Sequence, residues 1–420
     1  MKPFIVILSL MLTTGCATLP GQPPHTVDLS DQAQMSEFDG VVIRAQVLRD
    51  EQAHELFGVR LGVHGIQAVW LQIQNDTDGM LHYLPVTTDS DYFSPLEVAW
   101  KTRSRFRDGF NEALRRQLFV AAMPSELPAG ETTQGFVFTN RDLGVKIVNV
   151  DVVGGGQHWQ TSFLVEVPGI KLDVEKVNFD QLYELTDLAD LDDQGLNEFI
   201  ASQPCCTRNQ SGEKTGDPVN FVLVGDAEVL LNGFAVRGWD LTERIHGGSI
   251  WKTMQSFLLG SSYRYSPVSS LYFFDRPQDI ALQNARGNIH QRNHLRLWRA
   301  PVTYHGRSVW MGQISRDIGV RLTRHSPTLT THKIDPDVDE TRDYLLQDLM
   351  LSQHLARFGY VRSMLERGIG GPGHNLTGDP YITDGLRLVM FMDASYTTID
   401  AVQVIGDEVP SRDRRARLTP

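Results

Sequence analysis

Between Phe38 and about Asp173 short apolar runs recur, each ended by residues that turn a chain. They are Val41 to Val47, Gln67 to Ile73, Gly135 to Thr139, Val145 to Val150 and Thr161 to Val167. Runs of this length, rich in Val, Ile and Phe, are strands, and their spacing predicts an all-β antiparallel sandwich over residues 38–175. Asn75 to Gly79 reads as a hairpin turn and Gly154-Gly155-Gly156 as a second loop. One insertion departs from the pattern. In Ser94 to Leu118 the side chains of Phe106, Phe110, Leu114 and Leu118 fall four apart, which predicts a helix covering one end of the sandwich with its arginines in solvent.

After residue 175 the pattern changes. Residues 176–214 are acidic and read as a connector. From 215 to about 400 apolar runs alternate with helical ones: Phe221 to Val224, a helix from Asp226 to Arg237, then strands at Val268 to Asp275, His294 to Trp298, Ser308 to Ile314 and Leu386 to Asp393. A helix from Pro336 to about Phe358 precedes the last of these. Interleaving of this kind predicts an α/β or α+β domain with a mixed sheet, so the chain is multidomain. Residues 401–420 read as a frayed tail. With 39 Lys and Arg against 51 Asp and Glu, the net charge of −12 argues against a nucleic-acid partner held by counterion release.

The N-terminus carries an address. Lys2 precedes an apolar stretch of nine residues, Phe4 to Leu12, interrupted by Ser9 alone and followed by Thr13-Thr14-Gly15-Cys16. Nine residues are too few to span a bilayer, where about 20 are needed, so residues 1–15 are expected to be a signal peptide. Gly15-Cys16 resembles the bacterial lipoprotein box, although Thr13 stands where that family usually has Leu. The resemblance implies that Cys16 is lipidated and anchors the chain in a lipid bilayer, with the Pro-rich residues 16–37 as a tether. Ala17, in place of Asp, implies the periplasmic face of the outer membrane. The alternatives are the inner membrane or release into the periplasm. Cys205 and Cys206 are adjacent and can pair only as a vicinal disulfide with a distorted or cis peptide; a loop pair without a role is the expectation.

Asp217-Pro-Val-Asn, Ser266-Pro-Val-Ser-Ser-Leu-Tyr-Phe-Phe274, Arg276-Pro-Gln-Asp-Ile-Ala-Leu-Gln283, Arg292-Asn-His-Leu-Arg-Leu-Trp-Arg-Ala-Pro301 and His332-Lys-Ile-Asp-Pro-Asp-Val-Asp339 together resemble the LssY C-terminal domain family of bacterial envelope proteins, over roughly residues 215–350. That family's domain often follows membrane-embedded, sometimes phosphatase-like regions. Here a lipid anchor and a sandwich precede it, so a membrane-phosphatase role is not implied.

Two chemistries compete for the second domain. On a strand through His294, the residues His294, Arg296 and Trp298 share a face, which suits a small anionic or aromatic ligand. His332, Asp335 and Asp337 are further candidates for ligand binding or catalysis. Alternatively His290, His294 and His332 hold a divalent metal that activates water, making a metal-dependent hydrolase of the phosphoester class. The acidic run Asp335 to Glu340 fails as a calcium loop, having Glu340 where Gly is required. It reads better as a helix start with Asp335 as cap and Pro336 as first helical residue. Gly368 to Gly373 matches a dinucleotide fingerprint only formally, because Pro372 would interrupt the helix. With no recognised catalytic motif, the favoured reading is an envelope module that binds a ligand or an envelope protein.

Overall fold

The computed structural model describes residues 27–38, 40–105, 107–168, 182–183, 188–241, 270–285, 292–322, 330–364, 366–368 and 371–410. Residues 1–15, Cys16, Phe106, His290, the first half of the tether and the end of the tail lie outside them. At His332 the backbone alone is described. The chain divides into two compact units, residues 1–168 and 169–420.

The first unit holds two antiparallel sheets. One has the order β1 (Gln34–Phe38), β2 (Val41–Val47), β3 (Ile66–Asn75), β6 (Glu131–Asn140). The other runs β5 (Glu126–Leu127), β4 (Leu81–Tyr83), β7 (Gly144–Gly154), β8 (Gln157–Val167). Val41, Ile43, Ala45 and Val47 alternate inward along β2 and pack with Val148, Val150, Trp159 and Phe163 of the other sheet. The run Gln67 to Ile73 is almost continuously apolar because β3 is buried on both faces. Val69, Leu71 and Ile73 enter the inter-sheet core, whereas Ala68 and Trp70 pack with the helices α1 (Asp50–Phe57), α3 (Pro95–Thr102) and α4 (Asp108–Ala121). The short α2 (Pro85–Thr88) follows β4.

Two expectations change here. Asn75 to Gly79 carries the chain from one sheet to the other and is not a hairpin turn; the Asn75 Oδ1 accepts from the Thr77 backbone N at 3.0 Å. The hairpin turn is Gly155-Gly156, with φ of 57° and 78°. The predicted single helix is two. Asn111 reaches back to Ser104, accepting from its N at 2.8 Å and donating to its O at 2.7 Å, which satisfies both backbone groups of that residue outside a helix. Phe110, Leu114 and Leu118 are buried as the spacing requires, against a face of the sheet instead of an end of the sandwich.

The second unit is built on a ten-stranded mixed sheet. Its path is β13 (Asp240–Leu241), β16 (Ile280–Ala285), β17 (Arg292–Tyr304), β18 (Arg307–Leu322), β12 (Phe221–Val224), β23 (Leu386–Met392), β20 (Leu355–Arg362), β24 (Gln403–Ile405). Strand β9 (Ala189–Leu191) joins β17, and β19 (Thr330–Ile334) joins β18. Pairing is parallel at β12–β23, β9–β17 and β20–β24 and antiparallel elsewhere. One face buries Val222, Val224, Trp298, Met311, Val389 and Phe391 against Leu196 and Ile200 of α5 (Asp193–Ser202). Helices α6 (Ala227–Val236) and α7 (Val338–Leu351) also pack on the sheet, with Leu230, Phe234, Leu345 and Leu349 buried.

A small sheet, β11 (Thr215–Pro218), β10 (Cys206–Arg208), β14 (Tyr272–Phe273), β15 (Arg276–Pro277), completes the unit with the two-stranded β21 (Gly373–His374) and β22 (Pro380–Tyr381). The acidic stretch expected as a connector thus contributes β9, α5 and β10 to this unit. The tail contributes β24. Helix α7 ends at Leu351, and Phe358 belongs to β20, whose alternation the longer helical reading overran.

Candidate functional site

Strand β17 does place His294, Arg296 and Trp298 on one face. They are 8%, 4% and 0% exposed, however, so the face is an interior one. The Trp298 Nε1 donates to the Arg276 carbonyl at 3.3 Å. A connected network spans β16, β17 and β18. Arg292 donates through Nε to the Asp317 Oδ2 at 3.1 Å and through Nη1 to the Gln283 Oε1. Arg296 donates to the Gln313 Oε1 at 2.8 Å. That contact fixes the Gln313 amide, whose Nε2 then donates to the Ser315 Oγ at 3.0 Å.

The Ser315 Oγ also shares a hydrogen bond with the His294 Nε2, 3.0 Å away, and the His294 Nδ1 stands 3.6 Å from the Asp317 Oδ2. Serine, histidine and aspartate occur here in the order of a nucleophile, a base and its orienting carboxylate. Ser315 and Asp317 are each 1% exposed, so the hydroxyl is closed off within the sheet. The network's work is to fix the register of three strands through hydrogen bonds between their buried side chains. Asp217 extends it: burial pushes its carboxyl up from 3.8, the Asn375 amide at 3.0 Å and Arg296 act against that rise, and Asp379 and Asp317 add to it.

The other predicted residues are not brought to this face as a set. The Asp335 Oδ1 accepts from the Asp337 N at 3.1 Å, and the cap of α7 is Asp337, whose Oδ1 accepts from the Glu340 N at 3.2 Å. The helix starts two residues later than predicted because the chain stays extended through Pro336, whose carbonyl accepts from the Ile382 N at 2.8 Å. Asp339 turns inward to Arg342, which is 0% exposed and also held by Asp343 and Asp384. His332 is registered opposite Val320, whereas His294 is opposite Ser315. Those positions are about 16 Å apart along β18 at strand rise, which lends no support to a shared ion. Among the described residues no group of three His, Cys, Asp or Glu side chains is placed to hold a metal.

An open cavity of about 440 Å³ lies elsewhere in the unit. One wall is the segment Gln203 to Gly212 and the other is the hairpin of β14 and β15. Cys205 and Cys206 are joined in a disulfide with a trans peptide between them, correcting the expectation of loop thiols without a role. Cys206 lines the cavity, and its Sγ lies 3.4 Å from the Tyr381 hydroxyl on the far side.

Both walls are anchored by arginines, Arg387 buried and Arg276 half-buried. Arg387, 0% exposed, donates to the carbonyls of Ile200, Val219, Gln203 and Pro204. Its acceptors include the C-terminal end of α5, where the helix dipole favours a cation. Burial lowers its pKa to about 10, so it is still charged at neutral pH. Arg276 holds the hairpin, donating to Asp279 at 2.8 and 3.0 Å, to the Tyr183 hydroxyl at 2.7 Å and to the Arg299 carbonyl at 2.6 Å. Gln278 accepts from the Leu271 N at 3.1 Å. The turn itself is Phe274-Asp275 with φ of 49° and 56°. A left-handed Asp is tolerated; a left-handed Phe costs about 1–2 kcal/mol and persists because the anchors hold it.

Residues 200–386 match the LssY C-terminus family model. No curated protein matches the chain. The matched LssY C-terminal domain begins inside α5 and ends at the first residue of β23, so it takes in both cavity walls and the polar network. Sequence reading singled out Arg276-Pro-Gln-Asp and Arg292 to Pro301 without their roles. In the structure the first anchors a cavity wall and the second supplies a sheet interior. The one signal that pointed toward the cavity was the Cys205-Cys206 pair.

Proposed function

We propose that the chain is a lipid-anchored protein of the bacterial envelope whose LssY C-terminal domain binds a small ligand in the cavity beside Cys206. The observation that carries this reading is the construction of the cavity. Its volume falls in the range of small-molecule sites, and its walls are fixed by a disulfide and two arginines, Arg387 and Arg276, with a strained aromatic at the rim. The anchor is the acylated Cys16, and the location is the periplasmic face of the outer membrane. Net negative charge supports an acyl anchor over adsorption to anionic lipid.

A ligand that binds only the folded state raises its unfolding temperature. A thermal-shift panel of metabolites is run on the full chain and on Ser211→Trp, which fills the cavity mouth from an exposed turn. Hits that raise the unfolding temperature of the first and not of the second support the reading. Hits that persist unchanged in Ser211→Trp contradict it. Labelling with a palmitate analogue tests the anchor, the expectation being incorporation that Cys16→Ala abolishes together with membrane fractionation.

A further inference from the structure

Resting on that reading, we infer that the cavity takes a neutral saccharide, its ring lying against the Phe274 hairpin beside the segment carrying the vicinal disulfide. The flat surfaces offered are the rings of Tyr272 and Phe274, both half-buried, with the buried Phe273 and Cys206 behind them. The polar groups between them are of both kinds: Arg208 donates only, Asp275 accepts only, and Asn209 does both. One Arg and one Asp among the lining residues give no net charge.

This combination discriminates between ligand classes. A wholly apolar guest would cover the guanidinium and carboxylate without offering either a partner. A strong anion would meet the Asp275 carboxylate as well as Arg208. A pyranose ring instead has apolar C–H faces, which stack on an aromatic ring or a disulfide, and an edge of hydroxyls, each both donor and acceptor. The disulfide matters because it removes two S–H donors and closes a small ring on the backbone, fixing the wall at Cys205-Cys206. The hairpin turn presents Phe274, half-buried, on the neighbouring strand pair.

The test is calorimetric titration of the full chain, in a detergent without sugar head groups, with chitotriose, maltotriose and inorganic phosphate. The inference expects one or both trisaccharides to bind, with Phe274→Ala weakening binding at least tenfold and Asp275→Asn several-fold. Reducing the disulfide with a phosphine, which takes up oxygen from water as two thiols form, is expected to weaken binding at least threefold. Phosphate binding in place of sugar, or panel hits blocked by Ser211→Trp that are not saccharides, overturns the ligand class while leaving the binding reading intact. Failure of every sugar together with an empty panel overturns both. Sugar binding unaffected by Phe274→Ala, Asp275→Asn and Ser211→Trp places the sugar elsewhere and overturns the assignment of this cavity.

Discussion

Arg387 shows how much one side chain can organise. It is a buried cation whose named partners are carbonyls, and these lie on the segment that leads from α5 into the disulfide. Replacing it by Met keeps volume and leaves those carbonyls without their donor, so Arg387→Met should lower unfolding stability by on the order of 3 kcal/mol, read from denaturant midpoints. A change under about 0.5 kcal/mol would mean that the carbonyls find other donors. Asp217 gives a pH signature. Its raised native pKa means that the folded state holds the proton more tightly than the unfolded chain does. The stabilisation from this group is therefore full below the ordinary value of 3.8 and is lost as pH rises through the raised native value. Asp217→Asn keeps an acceptor for Asn375 and cannot ionise. Its stability relative to the unaltered protein should rise between about pH 4 and pH 7, as urea midpoints would show. An equal offset at both pH values contradicts the burial argument.

At the scale of elements, two substitutions probe how strand and helix are positioned. Asp337→Ala removes the cap of α7 and should cost about 1 kcal/mol, whereas Asp335→Ala should cost less, because Asp335 serves the turn before the cap. A reversed order would restore the earlier helix start. Gly312 of β18 lies under Phe221 of β12, where an added Cβ would stand 2.2 Å from the ring. Gly312→Ala should cost about 1–3 kcal/mol in thermal or denaturant unfolding by pushing the strands' shared packing apart.

The same elements show what a sequence can and cannot disclose. Alternation along Val41 to Val47 and the four-residue spacing of Phe110, Leu114 and Leu118 translate directly into buried faces, because local period decides them. The break at Ser104 does not, since it depends on Asn111 folding back on the chain. The His294, Arg296, Trp298 face was legible as a face. Its burial was not, because helix α5 and the segment around Asp217, which cover it, come from well before it in the chain. The cavity was illegible for the same reason: its walls are some sixty residues apart in sequence and are brought together by the pairing of Arg208 with Tyr272.

As a whole the molecule joins a β-sandwich unit, helix-covered on one sheet, to a mixed-sheet LssY C-terminal domain in which stability and binding are assigned to different places. The buried polar network and the Arg342 cluster hold the domain together, and the cavity is built on the smaller sheet beside them. His294→Ala should therefore lower stability, by about 2 kcal/mol, and leave ligand affinity in the cavity unchanged. A loss of affinity without a loss of stability would return the site to the sheet face. The most direct measurement of the central claim is hydrogen exchange along the full chain with and without a ligand that passes the thermal-shift panel. The account predicts slowed exchange in peptides covering residues 203–212 and 270–276. Protection confined to β17 and β18, with those two segments unchanged, would contradict it.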